Sequence, residues 1–425
     1  MKSAESAVST ARRRRLAFVS PQFLFPLDAG GKIRTTNILR GLKGGAFEIV
    51  LLSVATPEQT DRWRDEIDGV CDEFIAWPAA APRPRWRRLP DLFGALPVNV
   101  AADRSPAGRA AVQALAERSD IDLMVFDFVH SAVLMPAHLA KKSLCFTHNV
   151  EAEIFARHAK TASNAVLRRI WAGQARKMQD FERQALRRFD TVIAVSERDA
   201  RQFAEQHGLS SARAIPTGVD LDFFSWALPA KPSAELPPTV VFTGSMDWAA
   251  NIDGVRFFLN EVWPLVTTRM PEARFKVIGK SPPPALVQLG AAGRNVSFTG
   301  FVDDVRPHAH GAQAFVIPLQ VGGGTRIKAF EAMAMGCPVV STSIGIEGLA
   351  AEPDEHYLRR DEPAAMAEAI LALLRDGALR DGLSQRARAL VEGRFGHRMV
   401  AEVFQRICLE TLENSGVNGT RGVSA

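Results

Sequence analysis

The sequence predicts an α/β protein built from two doubly wound parallel-sheet domains, and three observations lead to this prediction. Short apolar runs of strand length recur along the 425 residues, separated by segments long enough for helices. Each half opens with the same order of strand, glycine-containing loop and helix, near Leu16 and again near Thr239. A proline-rich segment over residues 226–238 lies between the halves, as is typical of a linker.

The first half contains six apolar runs that predict strands. The first strand is followed by a loop that ends in Gly30 and Gly31, and then by a helix over Lys32–Leu42. A long amphipathic helix is predicted over Ser163–Arg188. Strands that alternate with helices form parallel sheets covered on both faces. The predicted strands are Leu16–Ser20, Phe47–Ser53, Cys71–Trp77, Ile121–Phe126, Ser143–Thr147 and Thr191–Val195.

The second half repeats this organisation and ends in helices. Its predicted strands are Thr239–Thr243, Arg274–Ile278, Val296–Phe298, Ala314–Leu319 and Cys337–Ser341, and its last helices are Met366–Leu374, Leu379–Val391 and Gly396–Leu412. We therefore expect an N-terminal domain over residues 1–225, a linker over 226–238 and a C-terminal domain over 239–395. A final helix over 396–413 is expected to pack back toward the N-terminal domain, and residues 414–425 form a flexible tail.

Composition indicates a globular protein of the cytoplasm. The hydrophobic fraction is 47% and the charged fraction 23%. No apolar run reaches the roughly 18 residues that a membrane span needs, and no signal peptide follows the arginines near the N-terminus. The four cysteines form no CxxC pair, so we expect neither zinc nor disulfides. Met1–Asp220 carries 32 Lys+Arg against 25 Asp+Glu, a net charge of +7, which would suit an anionic surface or substrate or simply solubility.

The most informative stretch is Gly322–Gly336, which lies between two predicted strands. Three glycines precede a helix, and two cations and a carboxylate lie within its first two turns. Glycines allow a ligand to approach the backbone, and the start of a helix offers unpaired N–H groups and the positive end of its dipole. The stretch therefore predicts a site for a diphosphate, with hydroxyl groups near the carboxylate. Its candidate residues are Gly322, Gly323, Gly324, Thr325, Arg326, Lys328 and Glu331.

Three further segments offer candidate binding residues at the ends of predicted strands, where ligands bind in open α/β sheets. The loop after the first strand contributes Gly30, Gly31, Lys32 and Arg34, although it lacks the spacing of a dinucleotide fingerprint. The segment Thr147–Glu151 contributes His148, Asn149 and Glu151. A glycine turn in the second half contributes Gly244 and Ser245.

These motifs resemble those of the family-four retaining glycosyltransferases, over roughly Arg15 to Leu412. More narrowly, Asp28–Arg34 and Thr147–Glu151 resemble the sugar transferases of bacterial exopolysaccharide gene clusters. The resemblance implies the GT-B fold, in which two Rossmann-like domains face each other across a cleft. The matching segments are Asp28–Arg34, Phe146–Glu151, Val195–Arg198, Pro216–Phe223, Val241–Asn251 and Gly322–Val340.

The resemblance also implies roles for the candidate residues. The second domain would bind a nucleotide-diphosphate sugar, with Glu331 on the ribose hydroxyls and the helix start, Arg326 and Lys328 on the diphosphate. Gly30 and Gly31 would approach the donor phosphate from the first domain, and His148 would face the donor sugar. The catalytic residues would be His148, Arg326, Lys328 and Glu331. Lys32, Arg34, Asn149 and Glu151 would lie on the acceptor side. Transfer would proceed with retention of configuration.

Two features depart from the family pattern. A first glutamate is expected at the position of Gly323, so the sugar cannot be read from this motif. The turn after Gly244 lacks the family's arginine and lysine, and Arg326 and Lys328 would take over those cationic roles. We expect no metal, because no Asp-x-Asp pair lies in a donor loop and the cations can stabilise the leaving diphosphate.

Two other functions and one membrane hypothesis stay open. A nucleotide-sugar 2-epimerase would share this architecture, but the histidines of the second half form no paired constellation with Glu331. A non-catalytic nucleotide-sugar binder would fit the glycine at position 323. The segment Pro78–Pro97, in which four arginines surround Trp86, could bind an anionic membrane surface or form a surface loop. Expected partners are therefore a nucleotide sugar, a lipid-linked or saccharide acceptor and the inner face of the membrane, but not nucleic acid.

Overall fold

The computed structural model describes residues 12–79, 91–92, 94–162, 164–209, 212–226, 237–293, 295–321 and 327–414. It divides into two compact units. The first unit comprises Met1–Ile215 and Ala401–Ala425, and the second comprises Pro216–Val400. Each unit is built around one parallel sheet with helices packed on it, which confirms the predicted α/β class with two doubly wound sheets.

The first unit contains a seven-stranded parallel sheet whose strands β1, β4 and β5 are almost wholly buried, as their continuous apolar runs predict. The strand order is β3-β2-β1-β4-β5-β6-β7. The order reverses direction between β1 and β4, which makes this the switch point where open α/β sheets bind ligands. The strands are β1 (Arg14–Ser20), β2 (Phe47–Val54), β3 (Glu73–Trp77), β4 (Leu123–Asp127), β5 (Lys142–Phe146), β6 (Thr191–Ala194) and β7 (Ala212–Ala214).

In the described part of the first unit, eight α-helices connect these strands, and several begin with side-chain caps that the sequence supplies. The Ser196 hydroxyl accepts a hydrogen bond from the Asp199 amide at the start of α8. Thr56 and Gln59 form a reciprocal capping box at the start of α2. The helices are α1 (Gly30–Leu42), α2 (Pro57–Arg62), α3 (Arg64–Asp68), α4 (Val98–Ala102), α5 (Pro106–Glu117), α6 (Glu151–Thr161), α7 (Ala165–Leu186) and α8 (Glu197–His207).

The second unit contains a six-stranded parallel sheet in the order β10-β9-β8-β11-β12-β13, with its switch point between β8 and β11. Its strands are β8 (Thr239–Thr243), β9 (Arg274–Ile278), β10 (Val296–Phe298), β11 (Ala314–Ile317), β12 (Val339–Ser341) and β13 (Leu358–Arg359). Its helices are α9 (Ala249–Phe257), α10 (Trp263–Arg269), α11 (Pro284–Ala292), α12 (Arg306–Ala309), α13 (Ile327–Ala334), α14 (Pro363–Arg375) and α15 (Gly377–Arg394).

The last helix, α16 (His397–Glu413), contributes most of its residues to the first unit. There the Phe404 ring contacts Phe146 with centroids 5.4 Å apart. The Thr411 hydroxyl lies 2.9 Å from that of Thr191. Both contacts place α16 against the strands β5 and β6, so the end of the chain completes the core of the first unit.

The compact units divide at Ile215, which is earlier than the sequence-based boundary at residue 225. The reason is that the chain joins the second unit soon after β7. Val219 forms a parallel bridge with Gly396, and Phe224 packs in a hydrophobic cluster of the second unit. These contacts are made by tertiary packing, which the composition of the linker does not reveal.

Candidate functional site

The switch point of the first sheet carries a buried carboxylate, Asp127, which is the last residue of β4. The hydroxyls of Ser20 and Thr35 donate hydrogen bonds to it, over 3.1 Å from Ser20 and over 3.0 Å from Thr35 to the same oxygen. His148 Nε2 lies 2.7 Å from its other oxygen. Residues from β1, α1, β4 and the segment after β5 therefore converge on one polar centre, which is the arrangement expected of a ligand site.

His148, predicted as a catalytic residue, is 3% exposed and is held by this carboxylate. Burial lowers the pKa of His148, although Asp127 opposes this, so the imidazole is neutral near pH 7. Because Asp127 accepts from Nε2, the proton lies on Nε2 and Nδ1 carries a lone pair. Nδ1 has no hydrogen-bond partner among the described residues. Nδ1 is therefore a hydrogen-bond acceptor that no described residue uses.

Phe128 follows Asp127 and fixes the position of the imidazole. Its backbone has a φ of 65°, a left-handed conformation that is rare for a bulky residue. Its ring stacks on His148 with centroids 4.0 Å apart. A Cβ added to Gly31 would lie 2.6 Å from the end of this ring, so only glycine allows α1 to approach it. Gly31, one of the predicted binding residues, and Gly30 therefore begin α1 beside the Phe128–His148 pair.

The two cations predicted on the acceptor side have different surroundings. Lys32 is partly buried and pairs with Asp28 over 3.0 Å. Arg34 is 1% exposed, and none of its guanidinium nitrogens has a hydrogen-bond partner among the described residues. Burial lowers the pKa of Arg34 to about 9, while Asp199 and Asp127 oppose this through space. Lys32 therefore stabilises the loop after β1, whereas Arg34 is a buried cation at the switch point.

Asn149 and Glu151 lie at the start of α6, next to His148 in sequence. The Asn149 amide donates a hydrogen bond to Glu151 over 3.2 Å, and the Glu151 backbone amide donates to Glu182 over 2.8 Å. Burial raises the pKa of Glu151. His130 forms a close ion pair with Asp103. Burial on its own would lower the pKa of His130, but the Asp103 carboxylate outweighs burial, so the pKa is raised.

The second unit brings a cation to the switch point of its own sheet. Lys328 lies in the first turn of α13, and its Nζ is 2.9 Å from Asn251 Oδ1 on α9. The same nitrogen lies 4.4 Å from the centroid of the Phe242 ring on β8. A Cβ added to Gly244 would lie 2.8 Å from this nitrogen, so Gly244 leaves room for the ammonium group. The prediction that Lys328 serves the turn after Gly244 is consistent with this placement.

Glu331 lies one turn after Lys328 on α13 and is partly buried. Burial raises its pKa to about 7, and the Lys328 ammonium opposes this rise. The carboxyl group is therefore close to half protonated at neutral pH. It can either accept or donate hydrogen bonds to ligand hydroxyls.

Ser245 is the remaining donor-side residue that the structure describes, and it lies in the turn after β8. The Ser245 hydroxyl donates a hydrogen bond to Asp247 over 3.1 Å, and Asp247 pairs with Lys280 over 3.5 Å. Five predicted residues lie outside the described part of the chain, namely Gly322, Gly323, Gly324, Thr325 and Arg326. The described helix α13 begins at Ile327 and has about two turns.

Two residues of these centres were missed by sequence reasoning. Asp127 directly follows a buried apolar run, and the rule that raised His148 as a candidate, a polar residue at the carboxyl end of a strand, applies equally to it. Asn251 lies in the first turn of α9 after the Gly244 turn, but its partner Lys328 is 77 residues away. No local pattern indicates that contact.

Two protein-family models match the chain, one in each half. The model described as Glycosyltransferase Family 4 matches residues 29–223, and the model described as Glycosyl transferases group 1 matches residues 237–376. The two parts of the chain thus match domains of two glycosyltransferase families. The family resemblance stated from the motifs is thereby confirmed.

Two curated relatives differ in how much of the chain they cover. Phosphatidyl-myo-inositol mannosyltransferase of Mycobacterium leprae is 30% identical over 229 residues, which is 53% of this chain and 60% of that protein. An uncharacterised 44.6 kDa protein in the cps region of Klebsiella pneumoniae is 20% identical over 366 residues, covering 84% of this chain and 90% of that protein. The chain thus spans 60% of the length of the mannosyltransferase.

Solved structures share the fold of this chain. HepE of Anabaena, crystallised with UDP and glucose, superposes with a TM-score of 0.68 at 13% identity, covering 93% of this chain and all of that one. At this identity the likeness concerns the fold, which is the GT-B glycosyltransferase fold predicted from the motifs. None of these matches supports the epimerase alternative.

The structure also bears on the predictions about membrane spans and cysteines. Among the described helices, none combines the length and the hydrophobicity needed to cross a bilayer. All four cysteines are free and buried. Most of the Pro78–Pro97 segment, including Trp86, lies outside the described residues.

Proposed function

We propose that this chain transfers a glycosyl group from a nucleoside-diphosphate sugar to an acceptor hydroxyl, with retention of configuration. The observation that supports this most is the position of Lys328 and Glu331, one turn apart on α13 at the switch point of the second sheet. A cation beside a glycine turn suits a diphosphate, and a carboxyl group one turn further suits ribose hydroxyls. This assigns the donor to the second unit.

The proposed role of these residues is to stabilise the diphosphate as it leaves the sugar. As the bond from the sugar to the diphosphate breaks, negative charge develops on the phosphate oxygens. Lys328, which Asn251 and the Phe242 ring hold in place, carries a positive charge beside Gly244. The start of α13 adds the positive end of its dipole. With a cation and a helix dipole supplied by the chain, we propose that the reaction needs no metal ion.

On the acceptor side, we propose that His148 accepts a hydrogen bond from a sugar or acceptor hydroxyl through Nδ1. The acceptor class is a lipid-linked or saccharide molecule of cell-surface or exopolysaccharide synthesis. The named activity of the mycobacterial relative, on a phosphatidylinositol, and the cps region of the Klebsiella relative favour this class. The basic excess of residues 1–220 would hold the protein at the inner face of the cytoplasmic membrane.

A screen of nucleoside diphosphates by isothermal titration calorimetry tests the donor site. One nucleoside diphosphate should bind in the micromolar range, and Glu331→Gln and Lys328→Met should each weaken it about ten-fold or more. Turnover is then measured as release of the diphosphate from its sugar conjugate in the presence of short-chain polyprenyl phosphates or saccharides. Binding without turnover on any acceptor would instead favour the non-catalytic binder, and no binding would overturn the proposal.

A further inference from the structure

Arg34 is the most unusual buried charge of the first unit. It lies in the second turn of α1 and is 1% exposed. Nε, Nη1 and Nη2 are all buried, and none has a hydrogen-bond partner among the described residues. Buried polar groups are almost always paired, and an isolated buried charge costs several kcal/mol. A guanidinium group kept in this state needs a partner that the described residues do not supply.

The two carboxylates that act on Arg34 through space are already engaged elsewhere. Asp127 receives hydrogen bonds from Ser20 and Thr35 and a contact from His148. Asp199 accepts from Ser196 and lies 3.6 Å from Arg198. The neighbouring anions are therefore satisfied by other donors, and Arg34 keeps all of its N–H groups available.

The location of Arg34 points to a ligand rather than to packing. It lies one turn after Gly31 on the helix that follows β1, at the switch point of the first sheet. Its neighbours at this edge are Asp127 and His148, whose Nδ1 is also buried and unpartnered. Two side chains with unused hydrogen-bonding atoms, which act on each other through space, thus lie where the topology of the sheet places ligands.

We propose that Arg34 binds a phosphoryl group of a ligand at the switch point of the first unit. A guanidinium group presents a planar fork of N–H donors that matches two phosphate oxygens, and such pairs are among the strongest hydrogen-bonded contacts. The proposal deepens the proposed function by making the acceptor a phosphate-bearing molecule, and it rests on that function only for the identity of the ligand. The same phosphoryl chemistry could belong to the diphosphate of the donor.

The first test compares wild-type protein with Arg34→Met and Arg34→Lys by calorimetric titration with inorganic phosphate. The protein is first saturated with the nucleoside diphosphate selected by the donor screen, so that the donor site is filled. Arg34→Met should lower phosphate affinity at least ten-fold, and Arg34→Lys, which keeps the charge without the fork, several-fold. Arg40→Met, on the last turn of α1, is the matched control and should bind phosphate as the wild type does.

Thermal stability separates a ligand-binding role from a structural one. Removing an unpaired buried charge should leave the melting temperature of Arg34→Met without ligand equal to or above that of the wild type. The melting temperature of the wild type should rise with phosphate concentration, and that of Arg34→Met should not. Arg34→Met that binds both phosphate and the nucleoside diphosphate as the wild type does overturns the proposal. So does an Arg34→Met protein that does not fold, if Arg34→Lys then binds phosphate with wild-type affinity.

The two sources of the phosphoryl group give different results. If it belongs to the acceptor, phosphate binds to the diphosphate-saturated protein and Arg34→Met leaves the nucleoside diphosphate affinity unchanged. If it belongs to the donor, Arg34→Met weakens the nucleoside diphosphate instead and saturation with it blocks phosphate. If Arg34→Met changes neither the phosphate affinity nor the nucleoside diphosphate affinity, while Glu331→Gln still weakens nucleotide binding, the role of Arg34 is rejected. The proposed function is then left intact.

Discussion

Lys328 and Asn251 join two helices of the second unit that are 77 residues apart in sequence, with Nζ 2.9 Å from Oδ1. The same Asn251 side chain donates a hydrogen bond to the Ser245 carbonyl over 2.7 Å. One asparagine therefore connects the cation on α13 to the backbone of the turn after β8. This connection holds the ammonium group beside Gly244, where the donor diphosphate is proposed to bind.

Replacing Lys328 with methionine should reduce nucleoside diphosphate affinity about ten-fold or more. The ammonium group is removed while the aliphatic part that packs on Phe242 is kept, so the unit should stay folded. Calorimetric titration measures the affinity. Arg269→Gln, which breaks a surface ion pair with Glu368 in the same unit, is the control and should bind as the wild type does. Equal affinities of Lys328→Met and the control would contradict the assignment.

The stability of the second unit should depend on pH through Glu331. Its folded-state pKa of about 7 lies above the ordinary value of 4.5, so the folded state holds this proton more tightly than the unfolded state. Its contribution is therefore fully present below about pH 4.5 and is lost as pH rises toward 7, by at most about 3 kcal/mol.

Glu331→Gln keeps the neutral form at every pH and isolates this effect. Its melting temperature should exceed that of the wild type increasingly between pH 5 and pH 8, because only the wild type has to ionise a buried group. Melting curves of both proteins at each pH give the difference. A constant difference across this range would show that the burial of Glu331 does not disfavour its ionised form.

Gly31→Ala should destabilise the first unit by about 1–3 kcal/mol and reduce turnover. The new methyl group would lie 2.6 Å from the Phe128 ring, so the ring or α1 must move and the stack on His148 is disturbed. Urea unfolding and diphosphate release measure the two effects. Gly173→Ala on α7, where a Cβ meets no heavy atom within 4 Å, is the control and should be neutral or stabilising. Two alanine variants of equal stability would refute this account.

Asp127→Asn should reduce turnover at least ten-fold with little effect on nucleoside diphosphate affinity. An amide accepts hydrogen bonds through one oxygen only, so it cannot satisfy His148 and the hydroxyls of Ser20 and Thr35 as the carboxylate does. The imidazole then loses its fixed tautomer. NMR of the ring nitrogens reports the tautomer directly. Full activity with an altered tautomer would exclude a role for the orientation of His148.

A chelator should leave diphosphate release unchanged, because Lys328 and the start of α13 supply the positive charge. Among the described residues, Asp220, Asp222 and His397 form the group that could hold a metal ion, with ligand atoms within 4.8 Å of one another. Asp222 is already paired with Arg398 over 2.7 Å. Activity that is lost with EDTA and restored by a divalent cation would contradict metal independence, and Asp222→Asn would then test this group.

Much of the fold could be predicted because its strands are buried apolar runs that end at clear breakers. The predicted bounds of β8, β9 and β10 coincide with those of the structure. The short edge strands β7 and β13 were missed, since neither forms an apolar run and their pairing is decided by the rest of the sheet. The predicted helix over Ser163–Arg188 is α7, while α6 ends just before it at Thr161.

The candidate site was predictable only where its residues are close in sequence. Lys328 and Glu331 lie one helical turn apart, and that spacing indicated a shared face. Asp127 and Thr35 lie 92 residues apart, so their hydrogen bond depends on β1 and β4 being neighbours in the sheet. Arg34 is likewise unpaired because other donors, from distant parts of the sequence, already bond Asp127. Local sequence does not specify these contacts.

The return of α16 to the first unit affects how the protein is made. Domains usually fold in order as the ribosome releases them, starting from the N-terminus. Here Phe404 and Thr411 complete the packing around β5 and β6, so the N-terminal unit lacks part of its core until the last residues have been synthesised. The second unit, which ends at Val400, can fold first. The N-terminal unit can therefore complete its core only after the whole second unit has been synthesised.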